Sequence, residues 1–301
     1  MDAAGPGPWA GTRGREEHRV VTLLPDCTEL AGTGLDGTGL ADEFALVAEA
    51  MGRYTGPPCV RRGRAVTTTG GYVSAVIWGD GEPGLVFLHD REESARVWDA
   101  VALILAMDLG RTAVAIDLPG HGESGPRRDG RYEPARITPA VAEAVHWFAP
   151  QARLVAGIGL GGLTALALRR RHPGLVPSIA LVNTLPGQLA DGPVSSGPAS
   201  PACDELAQLP GPVTLIRGTG TGPVAAGDLA ELRRQAPQLG VLTVTGTGPE
   251  ALAAALDSLL AISLTPAGTP AGHPAGRGGS RSTWPGGAAG AGRPGRRRRP
   301  G

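Results

Sequence analysis

The chain has 301 residues, and its 28 basic and 28 acidic side chains give a formal net charge of zero at pH 7. This length allows one large α/β domain or two small ones with a sizeable core. Cys27, Cys59 and Cys203 are scattered without C-x-x-C spacing, so we expect neither a disulfide framework nor a zinc site. The sequence contains no recognisable signal peptide or membrane-spanning stretch, and a cytoplasmic protein without membrane contact is the default expectation.

Composition divides the chain into four segments. Residues 1–38 are rich in Gly, Pro and Thr and are predicted to form a flexible arm, although they hold one apolar patch at 20–24. Residues 39–63 predict a helix and a linker that pack on the main domain. Residues 64–262 alternate apolar strands with helices, and residues 263–301 are a Pro/Gly/Arg-rich tail predicted to be disordered.

The main domain begins with a predicted hairpin around Gly70 and Gly71, flanked by alternating apolar residues. Short apolar runs then alternate with stretches of helical periodicity, which predicts a mostly parallel sheet covered on both faces. Strands are predicted at 84–88, 112–116, 154–156, 178–182, 212–216 and 241–244, and helices at 94–107, 139–148, 228–235 and 249–261, with a further helix after residue 160.

A glycine-rich turn joins the apolar run 154–158 to the helix that follows it. Such a turn can present a nucleophile, as in G-x-S-x-G, or it can bind a pyrophosphate, as in G-x-G-x-x-G. Its apex here is Gly159, which has no side chain, and Gly157, Gly159 and Gly162 satisfy the dinucleotide pattern. The acidic residue that a dinucleotide site expects about 20 positions later is Asn183. A glycine turn that lets strand and helix approach closely is therefore favoured over a nucleotide site.

Six landmarks occur in the order that they have in one large family. A strand ends in His89-Asp90, a D-x-P-G-x-G-x-S segment begins at Asp117, and the glycine turn follows at the position of a nucleophile elbow. The landmarks lie at 85–90, 115–124, 157–162, 179–183, 212–218 and 249–260. In this order they resemble the α/β-hydrolase superfamily, specifically its lipase/esterase-like branch of actinobacterial type. The resemblance implies an α/β-hydrolase fold, with a mostly parallel doubly wound sheet, helices on both faces and little or no cap domain.

The resemblance also implies positions for a catalytic triad, and this chain does not fill them. The nucleophile position is Gly159, the acid position is Asn183, and residues 245–249 hold no histidine where the base is expected. Leu160 follows the apex and would supply one N–H of the oxyanion hole. Asp90 stands where the family has glycine, and a carboxylate there opposes the charge of a developing oxyanion.

The remaining candidates come from the loops at the ends of the first parallel strands. The expected oxyanion loop and pocket include His89, Asp90 and Leu160. We interpret His89 and Asp90 as a loop pair that faces solvent rather than as an acid/base pair. Asp117, His121 and Ser124 are candidates for lining a pocket beside it.

Three functions follow from these observations. The first is a catalytically impaired pseudo-hydrolase that binds a small apolar ligand or a protein partner in the former active-site cleft. The second is an active carboxylic-ester hydrolase that uses non-standard residues, and the third is a dinucleotide-binding protein that uses the glycine turn. We expect no cofactor and no metal. Nucleic acid is not expected as a partner despite the arginine-rich tail, because the arginine run at 296–299 has no aromatic residues interleaved with it.

Overall fold

The computed structural model describes residues 21–23, 44, 47, 49, 52–54, 59–69, 71–184, 206, 209–219, 226–245 and 248–264. The strands are β1 (Val21–Leu23), β2 (Val60–Thr67), β3 (Gly71–Trp78), β4 (Leu85–Leu88), β5 (Ala113–Ile116), β6 (Leu154–Ile158), β7 (Ser178–Val182), β8 (Val213–Gly218) and β9 (Gly240–Val244). The helices are α1 (Asp99–Met107), α2 (Pro134–Phe148), α3 (Leu160–Arg171), α4 (Ala226–Gln235) and α5 (Pro249–Leu264). A short 3-10 helix, Ala95–Trp98, precedes α1.

These strands form a single sheet in the order β1-β2-β3-β5-β4-β6-β7-β8-β9. Neighbouring strands from β5 to β9 are parallel, whereas β1, β2, β3 and β5 pair in antiparallel fashion. Each parallel pair needs a crossover, and α1 to α4 provide those that the described residues include; most of the connection between β7 and β8 lies outside them. The mostly parallel sheet predicted from the sequence is confirmed, and so is the hairpin between β2 and β3.

Helices cover both faces of the sheet, because successive side chains of each buried strand point in opposite directions. Val86 and Leu88 of β4 belong to the core that includes residues of α2, α3 and α4. Leu85 and Phe87 belong to the core that includes residues of α1 and α5. Within the described residues, no helix is long and apolar enough to cross a membrane.

Helix α2 begins earlier than predicted, because Pro139 was interpreted as the helix start and lies inside it instead. A proline inside a helix leaves the carbonyl group four residues before it without its backbone donor. That carbonyl belongs to Ala135, and the Arg171 guanidinium of α3 donates a hydrogen bond to it at 2.8 Å. This hydrogen bond between two helices satisfies the Ala135 carbonyl group. Helix α2 can therefore continue through Pro139, although a proline in the sequence predicts the end of a helix.

The segment before the main domain differs from its prediction in two respects. Val21–Leu23 pairs with Gly63–Ala65 of β2, so these three residues belong to the sheet rather than to a flexible arm. Cys59, immediately before β2, is disulfide-bonded, which corrects the expectation of no disulfide. Phe44 is helical and fully buried, with its ring edge-on to Trp78 at 4.9 Å, as a helix packed on the domain predicts.

Several predictions concern segments outside the described residues. They include the rest of the arm, most of the stretch in which a cap would lie, and the two cysteines Cys27 and Cys203. The chain divides after Thr265, and residues 266–301, which hold most of the predicted tail, also lie outside the described part.

Candidate active site

The turn between β6 and α3 is the centre of the site. Gly159 has φ 49° and ψ −117°, a conformation that side chains of L-residues rarely adopt. A Cβ atom on Gly157 would collide with the backbone of Gly161 and Gly162. A Cβ atom on Gly161 would collide with the carbonyl group of Leu88 at the end of β4. The glycines therefore let α3 begin directly against the carboxyl ends of β4 and β6.

The hydroxyl group of Thr184 fixes this turn from the next strand. The Gly159 N–H donates to Thr184 Oγ1 at 2.8 Å, and Thr184 Oγ1 donates to the Val182 carbonyl at 2.8 Å. Thr184 is 2% exposed, so its hydroxyl group bonds within the protein. Sequence reasoning missed this residue; the available signal was a hydroxyl side chain two positions beyond a strand that neighbours the turn.

The carboxylate of Asp90 occupies the space that a side chain at Gly159, the expected nucleophile position, would take. Its Oδ1 accepts hydrogen bonds from the Leu160 N–H and the Arg91 N–H, both at 2.7 Å. A Cβ atom on Gly159 would lie on top of this carboxyl group. The Leu160 N–H, which the resemblance assigns to the oxyanion hole, therefore donates its hydrogen bond to the Asp90 side chain. The N-terminus of α3 also favours this negative charge.

His89 does not face solvent and does not pair with the Asp90 carboxylate, which corrects the expected solvent-facing pair. It is fully buried; its Nε2 accepts from the Leu118 N–H at 2.9 Å, and its Nδ1 lies 2.7 Å from the Asp90 carbonyl oxygen. An accepting Nε2 places the proton of the neutral ring on Nδ1, which donates to that carbonyl. Burial lowers the pKa of His89 below its usual 6.5, so the ring stays neutral and holds two loops together.

Two of the three pocket-lining candidates are structural. The Asp117 carboxylate is buried and accepts from the Ala95 N–H at 2.7 Å and the Glu123 N–H at 3.1 Å. Ser124 is also buried; its hydroxyl group donates to the Asp117 carbonyl at 2.6 Å and accepts from a backbone N–H of β3. The structure therefore corrects both positions, because these side chains stabilise the loop instead of lining an open pocket.

His121, the third candidate, remains partly exposed beside the oxyanion loop. Its ring lies 5.3 Å from that of His89 and 5.8 Å from that of Tyr132, edge-on in both cases. Its Nδ1 lies 3.1 Å from the carbonyl oxygen of Pro119. Of the histidines near the turn, it is the one with an accessible ring.

Asn183, at the expected acid position, lies at the rim of a cavity of about 370 Å³. Its backbone is left-handed, with φ 47°, and its N–H donates to the Ile216 carbonyl at 2.9 Å. The cavity opens at the carboxyl ends of β7, β8 and β9, and Gly248 of the expected base loop also lines it. Within the described ranges, no three His, Cys, Asp or Glu side chains come together to hold a metal ion.

The comparisons with known proteins agree with this geometry. A family model described as the alpha/beta hydrolase fold matches residues 83–242, slightly more than half of the chain. The chain belongs to the α/β-hydrolase family. This α/β-hydrolase is 42% identical over 155 residues to the esterase Rv0045c of Mycobacterium tuberculosis, which covers 50% of this chain and 49% of that protein. It is 32% identical over 127 residues to a pimeloyl-(acyl-carrier protein) methyl ester esterase of Klebsiella pneumoniae, with 42% of each chain covered.

The α/β-hydrolase thus spans about half the length, or less, of these curated relatives. Among solved structures, the M. tuberculosis esterase Rv0045c matches with a TM-score of 0.60 and 28% identity, covering 76% of this chain and 100% of that chain. A thioesterase domain from the curacin biosynthetic pathway matches with a TM-score of 0.53 and 20% identity, covering 64% of this chain and 96% of that one. The second likeness shows the fold alone.

These findings change the balance among the three functions expected from the sequence. The relatives are named esterases, so the comparisons favour the ester-hydrolase alternative and do not support the pseudo-hydrolase expectation. The geometry argues against the dinucleotide site, because Asp90 already occupies the Leu160 N–H at the start of α3.

Proposed function

We propose that this α/β-hydrolase hydrolyses carboxylic esters, with the Asp90 carboxylate as the general base in place of the serine and histidine that are absent from the expected triad positions. The observation that carries the proposal is the position of that carboxylate. It lies at the elbow, in the space of the side chain that Gly159 does not have. The esterase names of the relatives support the substrate class.

The proposed reaction needs no covalent intermediate. A water molecule attacks the ester carbonyl carbon while one of its protons moves to Asp90, which gives a neutral carboxylic acid beside a tetrahedral oxyanion. The intermediate then breaks its bond to the leaving oxygen, which takes the proton from Asp90 and departs as the alcohol. The products are an acid and an alcohol, and Asp90 is again a carboxylate.

The start of α3 can stabilise this reaction because one negative charge lies next to it both before and after the proton transfer. In the free protein the negative charge rests on Asp90, whose Oδ1 accepts from the Leu160 N–H. When Asp90 takes up a proton, the negative charge appears on the ester oxygen instead. Leu160 can then donate to that oxygen, which is the role of an oxyanion-hole donor. The carboxylate thus opposes the oxyanion only while it is unprotonated.

Turnover by this route is expected to be slow. A positioned general base contributes about 10²–10⁴-fold, and the covalent step available to a triad is absent. The test is hydrolysis of p-nitrophenyl butyrate by the purified chain, with single-turnover hydrolysis in ¹⁸O-labelled water. We expect turnover above a buffer blank, ¹⁸O in the butyrate released in the first turnover, and none in the protein. Label in Asp90 would instead reveal a nucleophilic carboxylate, and absent turnover would overturn the proposal.

A second candidate, ligand binding without catalysis, has one specific observation in its favour. The Leu160 N–H and the space above Gly159 are both taken by Asp90 in the free protein, so an ester carbonyl must displace a bound carboxylate to reach the donor. If hydrolysis is absent while methyl butyrate still raises the melting temperature, this candidate replaces the first.

A further inference from the structure

The two consecutive N–H groups at the elbow have acceptors of different kinds. The Gly159 N–H donates to Thr184 Oγ1 at 2.8 Å, whereas the Leu160 N–H donates to Asp90 Oδ1 at 2.7 Å. In the proposed reaction Asp90 takes up a proton, and the Leu160 N–H changes its acceptor to the ester oxygen. Thr184 takes no part in that proton transfer, so its hydrogen bond to the turn can remain while the other one is exchanged.

The position of the Thr184 hydroxyl group is itself fixed by the sheet. This group donates its single proton to the Val182 carbonyl at 2.8 Å, which leaves a lone pair for the Gly159 N–H. The side chain is only 2% exposed. The preceding residue, Asn183, has a left-handed backbone and donates its N–H to the Ile216 carbonyl, which fixes the point where the chain leaves β7. The acceptor of the Gly159 N–H is therefore tied to two central strands.

The elbow needs a fixed acceptor because it is rich in glycine. Four of the six residues at 157–162 are glycine, the residue that restricts its own backbone least. The peptide group that carries the Leu160 N–H follows Gly159 directly, so a rotation of the Gly159 backbone would turn this donor away from the ester oxygen. The methyl group of Thr184 also lies close to α3, since a Cβ atom on Gly162 would be 3.1 Å from Thr184 Cγ2.

We propose that Thr184 is a positioning residue of the hydrolytic reaction, an inference that rests on the proposed function for the reaction itself. Through its bond to the Gly159 N–H, it keeps the Leu160 N–H directed at the reacting oxygen after Asp90 has become protonated. Because this donor acts on the oxyanion and not on the bound ester, its loss should lower kcat and kcat/KM equally and leave KM unchanged. Misplacement of a group by about 1 Å costs roughly 10²-fold in rate, which is the upper limit of the expected effect.

Three substitutions separate the hydroxyl group of Thr184 from its methyl group and from its burial. Thr184→Val keeps the shape and the methyl group near α3 but removes the acceptor of the Gly159 N–H, whereas Thr184→Ser keeps the hydroxyl group. Thr138→Val is the matched control, because Thr138 is fully buried in α2 and its hydroxyl group donates to the Pro134 carbonyl at 2.6 Å. Each variant is measured for hydrolysis of p-nitrophenyl butyrate and, without substrate, for hydrogen exchange of the Gly159 and Leu160 amides by NMR.

We expect Thr184→Val to lower kcat by about 10- to 100-fold with KM unchanged, and to accelerate exchange of both amides by about tenfold or more. Thr184→Ser should restore both quantities to within about threefold of the wild type, and Thr138→Val should change neither, although its melting temperature should also fall. If Thr184→Val does not fold, as judged by circular dichroism, Thr184→Ala takes its place in the comparison with Thr184→Ser.

The inference is overturned if Thr184→Val is less stable but keeps the kcat of the wild type, if it changes KM instead, or if exchange of the two amides is unchanged. An equal loss of activity in Thr138→Val also overturns it. If the wild type shows no turnover while Thr184→Val alone loses exchange protection at the elbow, Thr184 positions the turn and only the hydrolysis proposal fails.

Discussion

Replacing Asp90 with asparagine separates the charge of this side chain from its shape. The amide keeps an oxygen that can accept from the Leu160 and Arg91 N–H groups, both of which are 2.7 Å from Oδ1 in the wild type. It loses the negative charge at the start of α3, and it cannot take up a proton at neutral pH. Asp90→Asn therefore tests the proposed base while it preserves the geometry of the loop.

The effect on stability is expected to be small. Loss of a negative charge at a helix N-terminus costs about 0.3–1 kcal/mol, and two charge-assisted hydrogen bonds become neutral ones at a further cost of about 1 kcal/mol. For a domain of this size, about 1 kcal/mol corresponds to roughly 2–4 °C in melting temperature. Differential scanning calorimetry should therefore show a decrease of only a few degrees.

The effect on activity is expected to be much larger. Removal of the general base should lower kcat for p-nitrophenyl butyrate by about 10²–10⁴-fold, or about 3–5 kcal/mol in activation free energy. Glu92→Gln is the matched control because it removes one negative charge from the same loop, at an exposed position. Turnover retained in Asp90→Asn, or lost equally in Glu92→Gln, would refute the reasoning.

Three further predictions test the turn and its neighbours. Gly157→Ala should destabilise the fold by about 1–3 kcal/mol in urea unfolding, because its Cβ meets the backbone of α3, whereas Gly174→Ala, in open space, should be nearly neutral. Gly159→Ser should gain no fluorophosphonate labelling and should lower the melting temperature, because the new side chain collides with Asp90 and no base accompanies it. Because burial holds the pKa of His89 below 6.5, the unfolded state binds more protons as the pH falls through that value, and the unfolding free energy should decrease as the pH is lowered through about 6.5. His89→Gln should flatten this dependence more than His172→Gln, whose ring is partly exposed and has a pKa that burial also lowers; equal slopes would contradict the account.

Local patterns in the sequence were sufficient for most of the fold. The buried strands from β4 to β8 are apolar runs whose predicted bounds differ from the observed ones by a residue or two, because such runs are the signature of a parallel sheet. The N-terminus of α2 was missed because a guanidinium group on another helix compensates Pro139. Strand β1 was missed because three residues hold a strand conformation only by pairing with β2.

The candidate site was predicted in position but not in arrangement. The turn at Gly159, the loop at Asp90 and the donor at Leu160 follow from spacing and resemblance. The hydrogen bond between Asp90 and Leu160 joins residues 70 positions apart, so no local pattern could reveal that the carboxylate fills the elbow. Thr184 was missed for the same reason, because its role depends on a contact with a turn 25 positions earlier.

The pairing of β1 with β2 also affects whether the edge of the sheet can pair with a strand of a second chain. An uncovered strand at the border of a sheet is a template on which a second chain can assemble and aggregate. Among the described residues, β1 pairs with Gly63–Ala65 of the eight-residue β2 and leaves both ends of β2 unpaired, and the cysteine bridge at Cys59 lies next to the Val60 end. Arg61 and Arg62 lie at that same end, and charged side chains are the kind that discourage such assembly. Arg61 and Arg62, which the proposed reaction does not use, therefore place charge on an unpaired end of β2, where it disfavours strand pairing with a second chain.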